Sequence, residues 1–174
     1  MTDTPDPSYL HAEPRTAVEF LEITRVPTVV RKMTDHPMSD MAAVFDSTFT
    51  ALFPLLEVEG IKPVGPAFSL HHRMPTETST FEVGVPVDRL LAEAVTTDSG
   101  VVLESSSLPG GSIATVSHLG PYDDLGEAWD EFTGRVMDGG AAPQLPFWEV
   151  YVTEPGPGAD PASMRTDLYT MVGD

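Results

Sequence analysis

Hydrophobic and polar positions along the chain follow two periods in turn, and the order of those periods occurs twice. Val18 to Met33 is rich in β-branched residues and alternates in places, which predicts a strand edged or interrupted at Pro27. Met41, Val44, Phe45, Thr48, Phe49 and Leu52 then recur at helical spacing behind Ser39-Asp40, residues suited to cap a helix. Pro54 should kink or end that helix, and Gly60 closes the segment. Val64 to Met74 and Phe81 to Val87 read as two further strands, and Asp88 to Gly100 as a connection of undefined form.

The second half repeats the sequence of elements. Ser112 to His118 reads as a strand broken by Gly120-Pro121. Asp124 with Glu127 three residues on fits a capping box. Leu125, Ala128, Trp129, Phe132 and Val136 then mark the apolar face of a helix ending at Gly139-Gly140. Phe147 to Thr153 and Arg165 to Val172 read as strands on either side of a Gly/Pro loop. Strand pairs joined as hairpins alternate with single helices, which predicts an α+β fold. The expected architecture is two β-α-β-β units, about 18–88 and 101–172, with antiparallel sheets, helices near 39–59 and 124–138, and a ligand cleft at their junction. Residues 1–17 read as a flexible tail ahead of one domain spanning 18–174.

The strand Phe147-Trp148-Glu149-Val150-Tyr151 carries the most chemistry. Alternation puts Phe147, Glu149, Tyr151 and Thr153 on one face and Trp148, Val150 and Val152 on the other. One face thus holds a carboxylate among aromatic rings, where an unpaired charge costs several kcal/mol, of order 3 or more. A lipophilic cation would suit it, through Coulomb attraction and cation–π contact. Desolvation would also raise the Glu149 pKa and make it a candidate acid or base. A structural ion pair with Arg165 or Arg135, or exposure on an edge strand, would explain the residue equally well. Tyr122, at the corner after Gly120-Pro121, could line the same cleft or simply pack at the helix start. His118 reads as structural, and Trp129, Phe132 and Val136 as core.

Composition narrows the classes. The chain has 174 residues, 41% of them hydrophobic, so one domain with a sizeable core is expected. Nine Lys+Arg against 27 Asp+Glu give a net charge of −18, which argues against nucleic-acid binding by this chain. There is no cysteine, hence no disulfide and no thiolate chemistry. His71 and His72 are adjacent and point to opposite strand faces, and no metal-ligand spacing occurs, so neither a metal nor a cofactor is expected. No GxSxG elbow or Walker loop is present. The N-terminus has no signal-peptide pattern, and no apolar run approaches the roughly 20 residues that span a bilayer, so a cytoplasmic protein without membrane contact is expected.

Laid end to end, these segments resemble the GyrI-like small-molecule-binding domain, which is also the effector-binding part of AraC- and MerR-type regulators. The resemblance runs from about Val18 to Val172. It rests on Gly60-Ile61-Lys62-Pro63-Val64-Gly65-Pro66-Ala67-Phe68 and Phe81 to Val87, then Leu108-Pro109-Gly110-Gly111 and Ala114. It continues through His118-Leu119-Gly120-Pro121-Tyr122, Leu125 and Trp129 to Trp148-Glu149-Val150-Tyr151, Glu154-Pro155 and Arg165-Thr166-Asp167-Leu168-Tyr169. No one of these motifs is specific; their order and spacing are. The resemblance implies a duplicated β-α-β-β fold and an aromatic pocket around one acid, matched by Glu149. Tyr122, Tyr151 and Tyr169 match lining positions, together with Phe68 and His71. It also implies a hydrophobic or cationic small-molecule partner. Some stand-alone members hydrolyse reactive cyclopropane compounds, for which Glu149 and Tyr122 would be the catalytic pair; another inhibits gyrase, which would imply a protein partner. His71-His72 depart from the family, which often has an aromatic there. With about 17 residues ahead of the domain in this sequence, a helix-turn-helix unit is not expected.

Overall fold

The computed structural model describes residues 13–153, 160 and 163–173. Among these described residues, nine strands and two α-helices follow in the order β1 Glu19–Ile23, β2 Val26–Pro37, α1 Met41–Glu59, β3 Phe68–His71, β4 Thr78–Pro86, β5 Val95–Thr96, β6 Val102–Leu108, β7 Gly111–Leu119, α2 Leu125–Asp138, β8 Ala142–Tyr151 and β9 Arg165–Gly173. The expected α+β fold with two helices is present. Every strand pairing is antiparallel, in one sheet ordered β1-β7-β9-β8-β3-β4-β2-β6-β5.

That order contains two similar units, β2-α1-β3-β4 and β7-α2-β8-β9, joined where β3 pairs with β8. The strand that precedes each unit is given to the other: β1 pairs with β7, and β6 with β2. Chain connectivity then dictates the sheet's shape. β1 ends at Ile23 and β2 begins at Val26, yet five strands lie between them in the sheet. A two-residue link spans at most about 10 Å, so the sheet must curl until its two ends meet. Its inner face closes on one cluster drawn from seven strands, including Ile23, Val26, Val30, Phe68, Leu70, Leu108, Ile113, Trp148, Val150 and Tyr169. Gly84 serves this curl: a Cβ there would lie 2.0 Å from the Val29 carbonyl oxygen, so no other residue fits.

Both helices lie on the outer face. α1 buries Val44, Thr48, Leu52 and Leu56, a stripe repeating every four residues, against Val29, Val83, Val85 and Val87. α2 buries Phe132 and Val136 against Ala114, Val116 and Leu168.

Several local expectations are revised. The first strand region breaks at Thr24-Arg25, between β1 and β2, and not at Pro27. Pro54 sits inside α1, which continues to Glu59 and ends at Gly60 in the left-handed region (φ 67°). Neither helix start has a side-chain cap, because the Asp40 carboxylate meets His36 at 2.7 Å and Asp124 makes no cap bond. β5 falls in the undefined connection, and β6 has no strand signature in the sequence, because the run Glu104-Ser105-Ser106-Ser107 shows no hydrophobic alternation. Residues 1–12 lie outside the described ones; Arg15, within the expected tail, is buried and hydrogen-bonded through its N–H to Ser117 at 2.8 Å. The segment Met38–Glu59 is, contrary to the sequence reading, long and apolar enough by composition to cross a membrane, with mean hydropathy 1.4. In the fold, its regular stripe of buried residues is spent on the sheet.

Candidate functional site

The helix-facing side of the sheet, between α1 and α2, is floored by the junction of β8 and β3. Register there places Glu149 opposite Ser69 and Phe147 opposite His71. Alternation along β8 then sends Phe147, Glu149 and Tyr151 outward between the helices and Trp148 and Val150 into the inner core.

Glu149 is held by neutral donors. The indole Nε1–H of Trp129 donates to Oε1 at 2.7 Å, and the Tyr151 hydroxyl donates to Oε2 at 2.8 Å. With its proton directed at Glu149, the Tyr151 oxygen accepts from Ser69 Oγ at 2.8 Å. Ser69, Tyr151 and Glu149 thus form a short polarised chain across the sheet. Among the described residues no Lys or Arg forms an ion pair with Glu149. The two candidates are engaged elsewhere: Arg165 forms a bidentate pair with Asp167, both contacts at 2.9 Å, and Arg135 pairs with Glu131 one helical turn away.

These surroundings set the protonation states. Burial raises the Glu149 pKa, while the bonds from Trp129 and Tyr151 and the proximity of His118 pull it back toward ionisation. Burial, reinforced by the Glu149 charge, raises the Tyr151 pKa far above its ordinary value and that of Tyr122 less, so both phenols stay neutral. His71 is buried and bonded through Nδ1 to Ser79 Oγ at 2.8 Å. Burial first, then the neighbouring His72, lower its pKa to about 4, so its ring is neutral at pH 7.

Two cavities open at this polar chain. One, of about 490 Å³, is lined by Glu149, Trp129, Phe147, His71 and the methionines Met38, Met41 and Met74. Its rings are tightly grouped: Phe147 stacks on His71 with centroids 5.0 Å apart and meets Trp129 edge-on at 4.8 Å. The other, of about 790 Å³, is lined by Tyr151, Tyr122 and the α1 residues Phe45, Phe49 and Phe53. Tyr151 packs against Phe45 at 5.4 Å and Tyr122 at 5.7 Å. Among the described residues, no three His, Asp or Glu side chains converge as metal ligands.

Of the residues singled out in the sequence, Glu149, Tyr151, Tyr122 and His71 therefore meet at the cleft. Phe68 and Tyr169 do not. Phe68 pairs in register with Val150, and Tyr169 with Trp148, so both point to the inner face. There Tyr169 stacks on Trp148 at 5.4 Å, and burial together with the charge of Asp167 raises its pKa to about 12. Tyr122 lines the cavity beside α1, while the phenol bonded to Glu149 is Tyr151. Trp129, read from helical spacing as core, turns out to supply a donor to the carboxylate; periodicity reports which face a residue occupies and not where an indole N–H aims. Ser69, Phe45 and Phe49 carried no sequence signal beyond their place in strand and helix.

Solved structures of similar fold surround this arrangement. The EcmrR C-terminal domain superimposes with a TM-score of 0.73 at 17% identity, covering 90% of this chain and 96% of that one. A hydrolase from Listeria innocua gives 0.64 at 11% identity, covering 93% and 94%. SAV2435 bound to tetraphenylphosphonium gives 0.59 at 10%, covering 91% and 94%. No curated protein matches in sequence. The similarity in sequence that does hold is to a family, and it spans both units and the cleft between them: over residues 28–172 the chain matches, and belongs to, the GyrI-like small molecule binding domain family.

Proposed function

We propose that this small-molecule-binding domain takes bulky apolar cations, with Glu149 as the counter-charge and Trp129, Phe147 and Tyr151 as its aromatic surround. The observation that carries this reading is the state of Glu149: a partly buried carboxylate with two neutral donors and no cationic partner among the described residues. Its two bonds favour ionisation without neutralising the charge, so the Coulomb attraction remains for a ligand. Rings on either side add cation–π contact. The fold likeness to SAV2435, solved with tetraphenylphosphonium, is consistent with this ligand class.

The test is a matched pair of ligands, tetraphenylphosphonium and its neutral isostere tetraphenylmethane, the latter solubilised identically, titrated at neutral pH. The cation should bind roughly 10- to 100-fold more tightly, corresponding to about 1.5–3 kcal/mol for a charge-assisted contact. Equal affinities would reject the charge reading.

A second reading, hydrolysis of strained electrophilic rings, draws on one observation: the raised pKa of Glu149 and its bond to the Tyr151 phenol join a proton carrier to a neutral donor. Turnover of a cyclopropane-containing electrophile, lost in Glu149→Gln, would favour it over binding alone.

A further inference from the structure

The Glu149–Tyr151 hydrogen bond has a different cavity at each end. Glu149 lines the space walled by Trp129 and Phe147, whereas Tyr151 lines the space walled by Phe45, Phe49, Phe53 and Tyr122. The second space is the larger, about 790 Å³ against about 490 Å³. Its aromatic wall is a single stripe on α1, where Phe45, Phe49 and Phe53 recur every four residues. Phe45 meets Phe49 edge-on at 6.3 Å, and Phe49 stacks on Phe53 at 5.8 Å and 27°. Phe53 remains 45% exposed, so the part of its ring not covered by Phe49 is open to the cavity it lines. Pro54 follows directly and has no N–H to give the Thr50 carbonyl, so the α1 turn beside this cavity, which Thr50 also lines, has one acceptor fewer satisfied within the helix.

We propose that the α1 cavity is a second aryl compartment of the same site, so that the preferred ligand is a two-lobed cation. Its charge stands at the Glu149–Tyr151 bond, one ring lies in the cavity that Trp129 and Phe147 wall, and the other lies on the Phe49–Phe53 wall beside Tyr122. This rests on the charge reading above only for the position of the cation. The second compartment follows from the lining of the α1 cavity alone.

Dibenzyldimethylammonium and benzyltrimethylammonium differ by one ring at constant charge and separate the two ideas when titrated calorimetrically. In the unaltered protein the dibenzyl compound should bind about tenfold more tightly or better, the gain expected from burying a second ring. Phe53→Ala, at a half-exposed position that the fold does not depend on, should reduce that advantage several-fold and leave the monobenzyl affinity unchanged. Thr50→Trp, which fills the compartment from an exposed helix position, should abolish it. A complementary control is Gly126→Leu: a Cβ at Gly126 meets nothing within 4 Å, and the residue lines the other cavity, so this variant should weaken both compounds. Phe53→Ala and Thr50→Trp lowering both affinities equally, or changing neither, would overturn the proposal. Glu149→Gln reports on the charge reading separately: if it leaves both affinities unchanged that reading fails, while the effect of Phe53→Ala on the ring-dependent difference still decides the second compartment.

Discussion

Two carboxylates on neighbouring strands of one sheet, Glu149 on β8 and Asp167 on β9, have been given opposite surroundings. Asp167 points to the inner face and is fully buried; Arg165 clamps it bidentately at 2.9 Å and Ser117 donates at 2.7 Å. Glu149 points to the helix side and receives only an indole N–H and a phenol. Asp167 has its counter-ion built in, and its oxygens are committed to the fold. Glu149 has bonds that orient it and none that neutralise it. The contrast lies in the partner: the chain supplies a cation to Asp167 and, among the described residues, none to Glu149, and the proposed ligand role of Glu149 rests on that difference.

Removing Arg165 tests the structural half of the comparison and should have the largest effect. Arg165→Leu strands the Asp167 charge in the core, and breaking one partner of a buried pair typically costs about 3–5 kcal/mol. Urea unfolding should show the midpoint falling accordingly; a loss below about 1 kcal/mol would mean that Asp167 does not depend on its clamp.

The corresponding change at Glu149 should behave in the opposite way. Glu149→Gln should weaken binding of a lipophilic cation by roughly 10- to 100-fold, or about 1.5–3 kcal/mol. It should leave stability at neutral pH unchanged or raised. The sign follows from the raised pKa: between the unfolded and folded values the native state holds more protons than the unfolded chain, so the ionised group costs stability as pH rises through that window. Thermal unfolding of both proteins at pH 7 would check it, and a strongly destabilised variant would place Glu149 with Asp167 as a structural acid.

His71 extends the comparison to a base on the Glu149 face that likewise has only a neutral partner, Ser79. Its folded pKa of about 4 lies below the ordinary value of 6.5. The unfolded state therefore binds more protons between those values, and the contribution of neutral His71 is lost as pH falls through them. Lowering pH from 7 to 4.5 should cost about 2 kcal/mol through this residue. His71→Phe keeps a ring against Phe147 and should flatten that part of the stability profile; an unaltered profile would mean that His71 is not held neutral.

The smallest effect should come from the phenols. Tyr151→Phe deletes a bond that favours ionised Glu149, so the pH at which cation binding is half lost should move upward. Tyr122→Phe removes a hydroxyl with no bond to Glu149 and should change affinity by less than about twofold, since an exposed hydroxyl contributes little net energy. An equal shift in both variants would show that the two phenols act alike, against the geometry.

The sequence by itself determined the periods, and with them the elements that carry the site: two helices, the hairpin-linked strands, and a strand with Glu149 and Tyr151 on one face and Trp148 on the other. These are local properties, because a period of two or of 3.6 is written in adjacent residues. Strand register was not local, and it decided which residues share a face across strands. Tyr169 and Phe68 fell opposite Trp148 and Val150 and were carried into the inner core, and Arg165, on the same face as Tyr169, met Asp167 and never Glu149. The curl of the sheet, forced by the two-residue link from Ile23 to Val26, closed that core on one side and left the helices on the other. Only then could Trp129, a residue of the α2 apolar face, reach across to the β8 carboxylate, a contact between residues 20 positions apart that no periodicity encodes.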